Sequence, residues 1–266
     1  MSWKSLYWLL VCLCCFMSPV KAQTLHVISV ADIHDFDLGG WFDVNSEHVQ
    51  TSAKLFASAA EMKLNFKKVT SPDPNTIACS AILNAVKSLQ AGSDDVILFY
   101  YSGHGFRPEH ERESKVIFPW FVCDSFPPVG KTPNLVDINA ALLEKKARLT
   151  ITIADACNNF LQEAPLTPRM AQPPIHSERI KTMFRKFRGN LIMSGSKPGQ
   201  FSYYFTTGGY FTQQLMNALE RPQDVASAKL WEAAVNSATE QILVPLPSGP
   251  EAQNPQALAK VIYDGP

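Results

Sequence analysis

The chain has 266 residues, of which 46% are hydrophobic and 18% are charged, as expected of a globular protein. Its 24 Lys and Arg residues balance its 24 Asp and Glu residues, so the formal net charge is zero. Because a neutral chain has no basic field to attract phosphates, we predict no nucleic-acid partner.

The first residues have the pattern of a secretory signal peptide. Lys4 supplies a positive charge, residues 6–17 form a short apolar run, and small residues precede the end at Ala22. We therefore predict a signal peptide over residues 1–22 and a secreted or periplasmic mature chain, with a retained N-terminal anchor as the alternative. The apolar run is short for a membrane span and no later segment is longer, so we predict no membrane partner for the mature chain.

Removal of this segment leaves Cys79, Cys123 and Cys157. An odd number of cysteines in an exported protein indicates one free thiol. Cys79 and Cys123 are a candidate disulfide, because oxidising compartments permit one.

The rest of the chain alternates between strand and helix patterns. In the first half, the sequence predicts a strand at 24–30, a polar loop at 31–45, a helix from Ser46 to about Leu64, a strand at 66–69, a helix around 77–89 and a buried strand from Val96 that ends at Ser102-Gly103-His104-Gly105. The second half predicts strands at 117–122, 148–154, 190–193 and 258–263, helices at 137–146, 178–187, 211–219 and 230–243, and loops at 158–174 and 245–255. This order predicts an α/β fold with a parallel sheet and helices on its faces.

Two of the buried strands end in residues that carry chemistry. His104 follows the strand that begins at Val96, and Cys157 follows the strand 148–154. Parallel strands bring their carboxyl ends to one edge of a sheet, where open α/β folds bind ligands. If the two strands are neighbours, imidazole and thiol lie close together, and an imidazolium lowers the pKa of a thiol. The alternative is that Cys157 is a buried structural thiol.

The residues at these strand ends resemble a known family. Tyr101-Ser102-Gly103-His104-Gly105 and Asp155-Ala156-Cys157 are similar to the paired signature of the caspase and metacaspase superfamily of cysteine peptidases, peptidase family C14. The 53 residues from His104 to Cys157 match the spacing of about fifty in caspases. The segments 194–200, 208–212 and 254–256 also resemble conserved segments of bacterial caspase-like proteins.

The resemblance covers about Leu25 to Gln256. It implies that residues 23–266 form one caspase-like peptidase domain. The implied fold is a three-layer α/β/α sandwich with a mostly parallel central sheet of about six strands.

The resemblance also implies roles for individual residues. His104 matches the catalytic histidine and Cys157 the nucleophile, while the amides of Gly105 and Cys157 match the oxyanion hole. Asp155 and Ser102 match residues of the S1 pocket, which holds the substrate residue before the scissile bond (P1). An acid at Asp155 implies a basic P1 residue, Arg or Lys. The alternative for Asp155 is a capping or turn carboxylate.

Some features depart from the family pattern. Metacaspases have a second pocket acid at the start of the first helix, whereas the nearest segment here, 51–54, has none. Asp32, Asp35 and Asp43 are open candidates for that acid. The nucleophile is followed by Asn158-Asn159 rather than by a His-Ser-Gly-like run.

Further predictions concern self-cleavage and metal binding. Arg169, in the loop after Cys157, is a candidate self-cleavage site, with a passive surface loop as the alternative. We predict no metal or other cofactor, while some metacaspases need calcium and the acidic first loop leaves that open. His110 is interpreted as a solvated loop residue, because its spacing from His104 fits no zinc motif.

The function that follows is a secreted cysteine endopeptidase with a Cys157–His104 dyad, acting on protein or peptide substrates after Arg or Lys. The rival hypothesis is a caspase-fold binding or regulatory protein that has lost catalysis. Replacing Asp155 with Ala is expected to loosen the choice of P1 residue more than it harms folding.

Overall fold

A computed structural model describes residues 23–32, 39–69, 77–125, 128, 130–159, 176–205, 208–246 and 248–265. The predicted signal peptide at 1–22, Asp35 and Arg169 lie outside these residues.

The described residues form twelve strands and six α-helices. The strands are β1 (Thr24–Ala31), β2 (Lys63–Val69), β3 (Val96–Ser102), β4 (Gly105–Phe106), β5 (Trp120–Phe121), β6 (Leu149–Asp155), β7 (Phe187–Ser194), β8 (Tyr204–Phe205), β9 (Gly208–Gly209), β10 (Ile242–Leu246), β11 (Gly249–Gln253) and β12 (Gln256–Tyr263). The helices are α1 (Gly39–Ala59), α2 (Cys79–Ser88), α3 (Leu135–Leu143), α4 (Ser177–Arg185), α5 (Tyr210–Glu220) and α6 (Leu230–Ala238).

Six strands make the central sheet, in the order β12-β7-β6-β3-β1-β2. All neighbours run parallel except β12, which is antiparallel to β7 at one edge. All seven residues of β3 and of β6 are buried, as expected for central strands that helices cover on both faces. The predicted edge strand and the mostly parallel sheet of about six strands are confirmed.

Helices cover both faces of this sheet. Alternate residues of β3 point to opposite faces, so Leu98 and Tyr100 join one core and Ile97 and Phe99 join the other. The first core contains residues of α1, α4, α5 and α6, and the second contains residues of α2 and α3. The three-layer α/β/α sandwich is therefore confirmed.

Several sequence predictions are wrong at particular elements, among them the predicted helix end at Leu64, since α1 ends at Ala59 and Leu64 lies in β2. Helix α1 begins at Gly39, not at Ser46, so residues 39–45 are not a loop. The polar character of this stretch hides the helix, because its first turns bury Phe42 and also Asn45 and Ser46. The hydroxyl of Ser46 lies 2.8 Å from the hydroxyl of Ser29 on β1, which satisfies one of these buried polar groups.

A further error concerns the end of the predicted helix 230–243. Helix α6 ends at Ala238, and residues 242–246 form β10, in which Ile242 and Val244 are buried while Leu243 is exposed. That alternation has the period of a strand. The predicted loop 245–255 is wrong as well, since β11 pairs with β10 as an antiparallel hairpin.

The disulfide hypothesis is confirmed by the pairing of Cys79 with Cys123. The bond joins the start of α2 to the segment after β5. Asp124 adds two hydrogen bonds at the same place, since its carboxylate accepts from the Cys79 amide at 2.9 Å and its amide donates to the Ile77 carbonyl at 2.9 Å. Cys157 is the free cysteine of the described residues.

Within the described part of the chain, no helix combines the length and apolar character needed to cross a bilayer. The same residues contain no group of three or more His, Cys, Asp or Glu side chains arranged to hold a metal ion.

Candidate active site

The two strands that end in chemistry-bearing residues are direct neighbours. Strands β3 and β6 pair in parallel, with Ser102 opposite Asp155 at their carboxyl ends. His104 and Cys157 each follow two residues later, at the same edge of the sheet. The structure therefore places the histidine and the cysteine that the sequence indicates at the ends of two paired strands.

Gly105 lies where the loop that carries His104 contacts the loop that carries Cys157. A Cβ atom at this position would lie 2.4 Å from the carbonyl oxygen of Cys157 and 2.7 Å from the Cβ of Ala156. It would also lie 3.3 Å from the amide nitrogen of Cys157. Only glycine permits this approach. The close contact fixes the position of the loop that carries His104 against the backbone of Cys157.

The amide of Gly105 takes no part in the short β4–β5 ladder. Gly105 lies opposite Phe121, and the amide of Val122 donates to the carbonyl of His104 at 3.0 Å. This pattern makes Gly105 and Phe121 a non-hydrogen-bonded pair, in which neither amide points to the partner strand. The Gly105 amide does not donate to β5, so it can donate to another group.

His104 is half-buried, and its backbone is held from two sides. Its carbonyl accepts the Val122 amide and also the hydroxyl of Tyr101, the latter at 2.7 Å. Its ring meets the ring of Phe42 edge to face, with centroids 5.5 Å apart. These contacts limit the motion of the imidazole, which favours a defined orientation.

Cys157 is half-buried, and its sulfur lies against the backbone of Ser202. The Ser202 amide donates to Sγ at 3.4 Å, and the thiol donates to the Ser202 carbonyl at 3.7 Å. Burial raises the pKa of Cys157 to about 12, the Ser202 amide offsets part of this, and the charge of Asp155 raises it further. In the substrate-free protein the pKa of Cys157 is therefore raised, which favours the neutral thiol.

This high pKa predicts slow chemical modification. At pH 8, the thiol of the folded chain starting at Gln23 is expected to react with methyl methanethiosulfonate about 30- to 100-fold more slowly than the same thiol in urea, because only the thiolate reacts. The rate is expected to rise tenfold per pH unit between pH 7 and 9. A rate that levels off in this range would show a thiol pKa near or below neutrality and contradict the assignment.

Asp155 is completely buried at the end of β6. Its Oδ1 accepts from the Ser202 hydroxyl at 2.5 Å, and its Oδ2 accepts from the amide and the hydroxyl of Thr212, at 3.1 and 2.5 Å. Thr212 is the third residue of α5, so the carboxylate caps that helix from another element. Burial raises the pKa of Asp155, and the hydrogen bonds from Ser202 and Thr212 offset part of the rise.

Ser102 is also completely buried, and its partner is a residue that the sequence does not indicate. Asn45 on α1 donates from Nδ2 to the Ser102 hydroxyl at 2.9 Å and accepts the Gly209 amide at Oδ1, at 2.7 Å. A Cβ at Gly209 would lie 2.1 Å from Oδ2 of Asp155 and 3.2 Å from Nδ2 of Asn45. Asn45, Ser102 and Asp155 thus form one polar cluster beneath Gly209.

The three candidate acids have different positions. Asp32 lies at the end of β1, with its amide donating to the Ser102 carbonyl at 3.1 Å, next to this cluster. Asp43 forms an ion pair with Lys68 and is partly exposed. Asp35 is outside the described residues. The sequence does not indicate Asn45, because the family pattern has an acid in this pocket and because the predicted helix begins after Asn45.

The residues after Cys157 are firmly bound although they depart from the family pattern. The amide of Asn158 donates to the Gln200 carbonyl at 2.9 Å, and its carbonyl accepts the Gly199 amide at 2.7 Å. Its side chain donates to the Ile117 carbonyl at 2.7 Å. The changed residues support the position of Cys157, so they are no evidence of a degraded site.

The family model of the caspase domain, peptidase family C14, matches residues 51–257. The chain belongs to this family of cysteine-type peptidases. The resemblance of the sequence motifs is thereby confirmed.

Structural comparison of this caspase-domain protein agrees at the level of the fold. A crystal structure of caspase-1 from Spodoptera frugiperda aligns with a TM-score of 0.52 and 14% sequence identity. The alignment covers 90% of this chain and 87% of that one. No curated protein is similar enough in sequence to count as a match.

Proposed function

We propose that this caspase-domain protein is a secreted endopeptidase that cleaves after Arg or Lys with a Cys157–His104 dyad. The observation that carries the proposal is the pairing of β3 with β6, with Gly105 packed against the backbone of Cys157. A peptide carbonyl placed over Sγ then has the amides of Gly105 and Cys157 as candidate donors to its oxygen. Such donors stabilise the oxyanion that forms in acyl transfer.

The raised pKa of Cys157 determines how the first step begins. Because the resting thiol keeps its proton, His104 removes that proton as Sγ attacks the carbonyl carbon. The tetrahedral oxyanion collapses, the C–N bond breaks, and the imidazolium gives its proton to the leaving amine. Water, deprotonated by His104, then hydrolyses the thioester and restores the thiol and the free carboxylate product.

The preference for a basic P1 residue is supported by the neutral partners of Asp155 among the described residues. Its hydrogen-bond donors are neutral, and no Lys or Arg side chain of the described residues acts on it. A buried carboxylate without a cation is costly, and a substrate guanidinium or ammonium group would supply the missing charge. Ser102 and Asn45, in the same cluster, offer further polar contacts to that group.

A panel of fluorogenic peptides that differ at P1 tests the proposal. The kcat/KM values for Arg and Lys are expected to exceed those for Gln and Asp by about 100-fold or more, since a neutral or acidic side chain leaves Asp155 unpaired. Assays with calcium and with a chelator decide the metal requirement. Preference for Asp or Gln would refute the basic pocket, and failure of an Arg-containing peptidyl electrophile to label Cys157 would favour the binding-protein alternative.

Secretion is supported by the Cys79–Cys123 disulfide, because such bonds persist in oxidising compartments. Amino-terminal sequencing of the exported protein is expected to begin at Gln23. Recovery of the protein only inside the cell, with the first 22 residues attached, would refute secretion.

A further inference from the structure

Gln253 is a completely buried glutamine at the end of β11, 96 residues after the nucleophile. Its Oε1 accepts the Tyr203 amide at 3.0 Å. Its Nε2 donates to the Gly195 carbonyl at 2.8 Å and to the Ser202 hydroxyl at 3.0 Å. The side chain of Gln253 therefore joins the β10–β11 hairpin to the segment 202–203 and to the turn after β7.

The partners of Gln253 fix the direction of each of these hydrogen bonds. The Tyr203 amide can only donate, so Oε1 must face it and Nε2 must face the other two partners. Because Nε2 donates to the Ser202 oxygen, the single hydroxyl proton of Ser202 is directed to Oδ1 of Asp155, 2.5 Å away. The chain of donors runs from Gln253 through Ser202 to Asp155.

The same segment forms the support of the nucleophile. The Ser202 amide donates to Sγ of Cys157, and the Ser202 carbonyl accepts from the thiol. Gln253 binds this segment both at the Ser202 hydroxyl and at the next amide, that of Tyr203. A shift of the segment would move both backbone groups that contact the sulfur.

We propose that Gln253 is a positioning residue, which holds the Ser202 backbone against Cys157 and orients the Ser202 hydroxyl toward Asp155. It acts through Ser202, since its amide binds the Ser202 hydroxyl and the Tyr203 amide rather than Cys157 itself. The inference rests on the proposed function, because it assigns Gln253 to the reaction of Cys157.

The test compares Gln253→Met with Gln214→Met in the chain starting at Gln23. Methionine has similar length but no amide. Gln214 is a suitable control because its amide also bridges backbone groups, donating to the carbonyls of Ala238 and Glu240 between α5 and α6. The readouts are kcat and KM for an Arg peptide, and the rate at which methyl methanethiosulfonate modifies Cys157 at pH 8.

For Gln253→Met we expect kcat to fall about tenfold with KM within twofold, and the thiol to react about threefold more slowly, because the Ser202 amide no longer stabilises the thiolate. Gln214→Met is expected to leave all three values within twofold. An unchanged kcat or an unchanged thiol rate in Gln253→Met overturns the assignment. The thiol rate needs no substrate, so it still tests Gln253 if the protein proves not to be a peptidase.

If Gln253→Met does not fold, Gln253→Glu takes its place. The carboxylate keeps an acceptor for the Tyr203 amide but has no amide proton for Ser202 or Gly195. The thiol rate and kcat are expected to fall below the wild-type values, and wild-type values for both would overturn the assignment.

Discussion

Replacement of Cys157 by Ala is expected to lower kcat for Arg peptides by at least about 10⁴-fold, to the background rate. Removal of the nucleophile eliminates the thioester route, and the oxyanion donors alone give little catalysis. Folding is expected to survive, because the hydrogen bonds that join the thiol to the Ser202 backbone are long and weak. The free energy of unfolding in urea should therefore differ from that of the wild type by no more than about 1 kcal/mol.

His104→Ala is expected to give a loss of similar size, because the neutral thiol then has no base to accept its proton. His110→Ala is the matched control. His110 lies six residues later, and its side chain is 80% exposed with a 3.8 Å contact to Glu111, in agreement with its interpretation as a solvated loop residue. Its replacement should leave kcat within twofold. Undiminished turnover by Cys157→Ala would end the proposed mechanism.

The sequence predicts well those strands and helices whose own residues form a clear pattern of apolar and polar side chains. The runs at β3 and β6 are continuously apolar, which indicates central strands, and their polar ends indicate the edge of a site. The sequence could not show that β3 and β6 are neighbours. Their register, with Ser102 opposite Asp155, depends on contacts between residues 53 positions apart.

The parts that the sequence predicts poorly are those in which polar residues are buried. The first turns of α1 read as a loop because Asn45 and Ser46 are polar, although both are buried against the sheet. Asp155 has its hydrogen-bond partners at Ser202 and Thr212, which lie 47 and 57 residues later in the chain. No local pattern reveals such partners, so the capping of α5 by Asp155 appears only in the folded protein.

These contacts change the expected effect of mutating Asp155. Asp155→Ala leaves two buried donors, the Ser202 hydroxyl and the Thr212 amide, without an acceptor and removes the cap of α5. The expected destabilisation is about 3 kcal/mol or more, so this variant cannot separate specificity from folding. Asp155→Asn is the better test. Its Oδ1 can accept from Thr212 and its Nδ2 can donate to the Ser202 oxygen, while the Ser202 hydroxyl proton loses its acceptor, so about 1–3 kcal/mol should be lost as the negative charge disappears.

For Asp155→Asn we expect kcat/KM to fall about 100-fold for Arg and Lys peptides and less than tenfold for Gln peptides, since only the basic residues lose an ionic partner. Asp95→Asn is the control. Asp95 is also buried and hydrogen-bonded, to the amides of Thr24 and Gly92 and to His26, but it precedes β3 and so lies at the other end of the sheet. Its replacement should lower stability in urea without changing the ratio of Arg to Gln turnover. If Asp155→Asn also leaves that ratio unchanged, Asp155 is a helix cap alone, and the basic preference must come from another group or be absent.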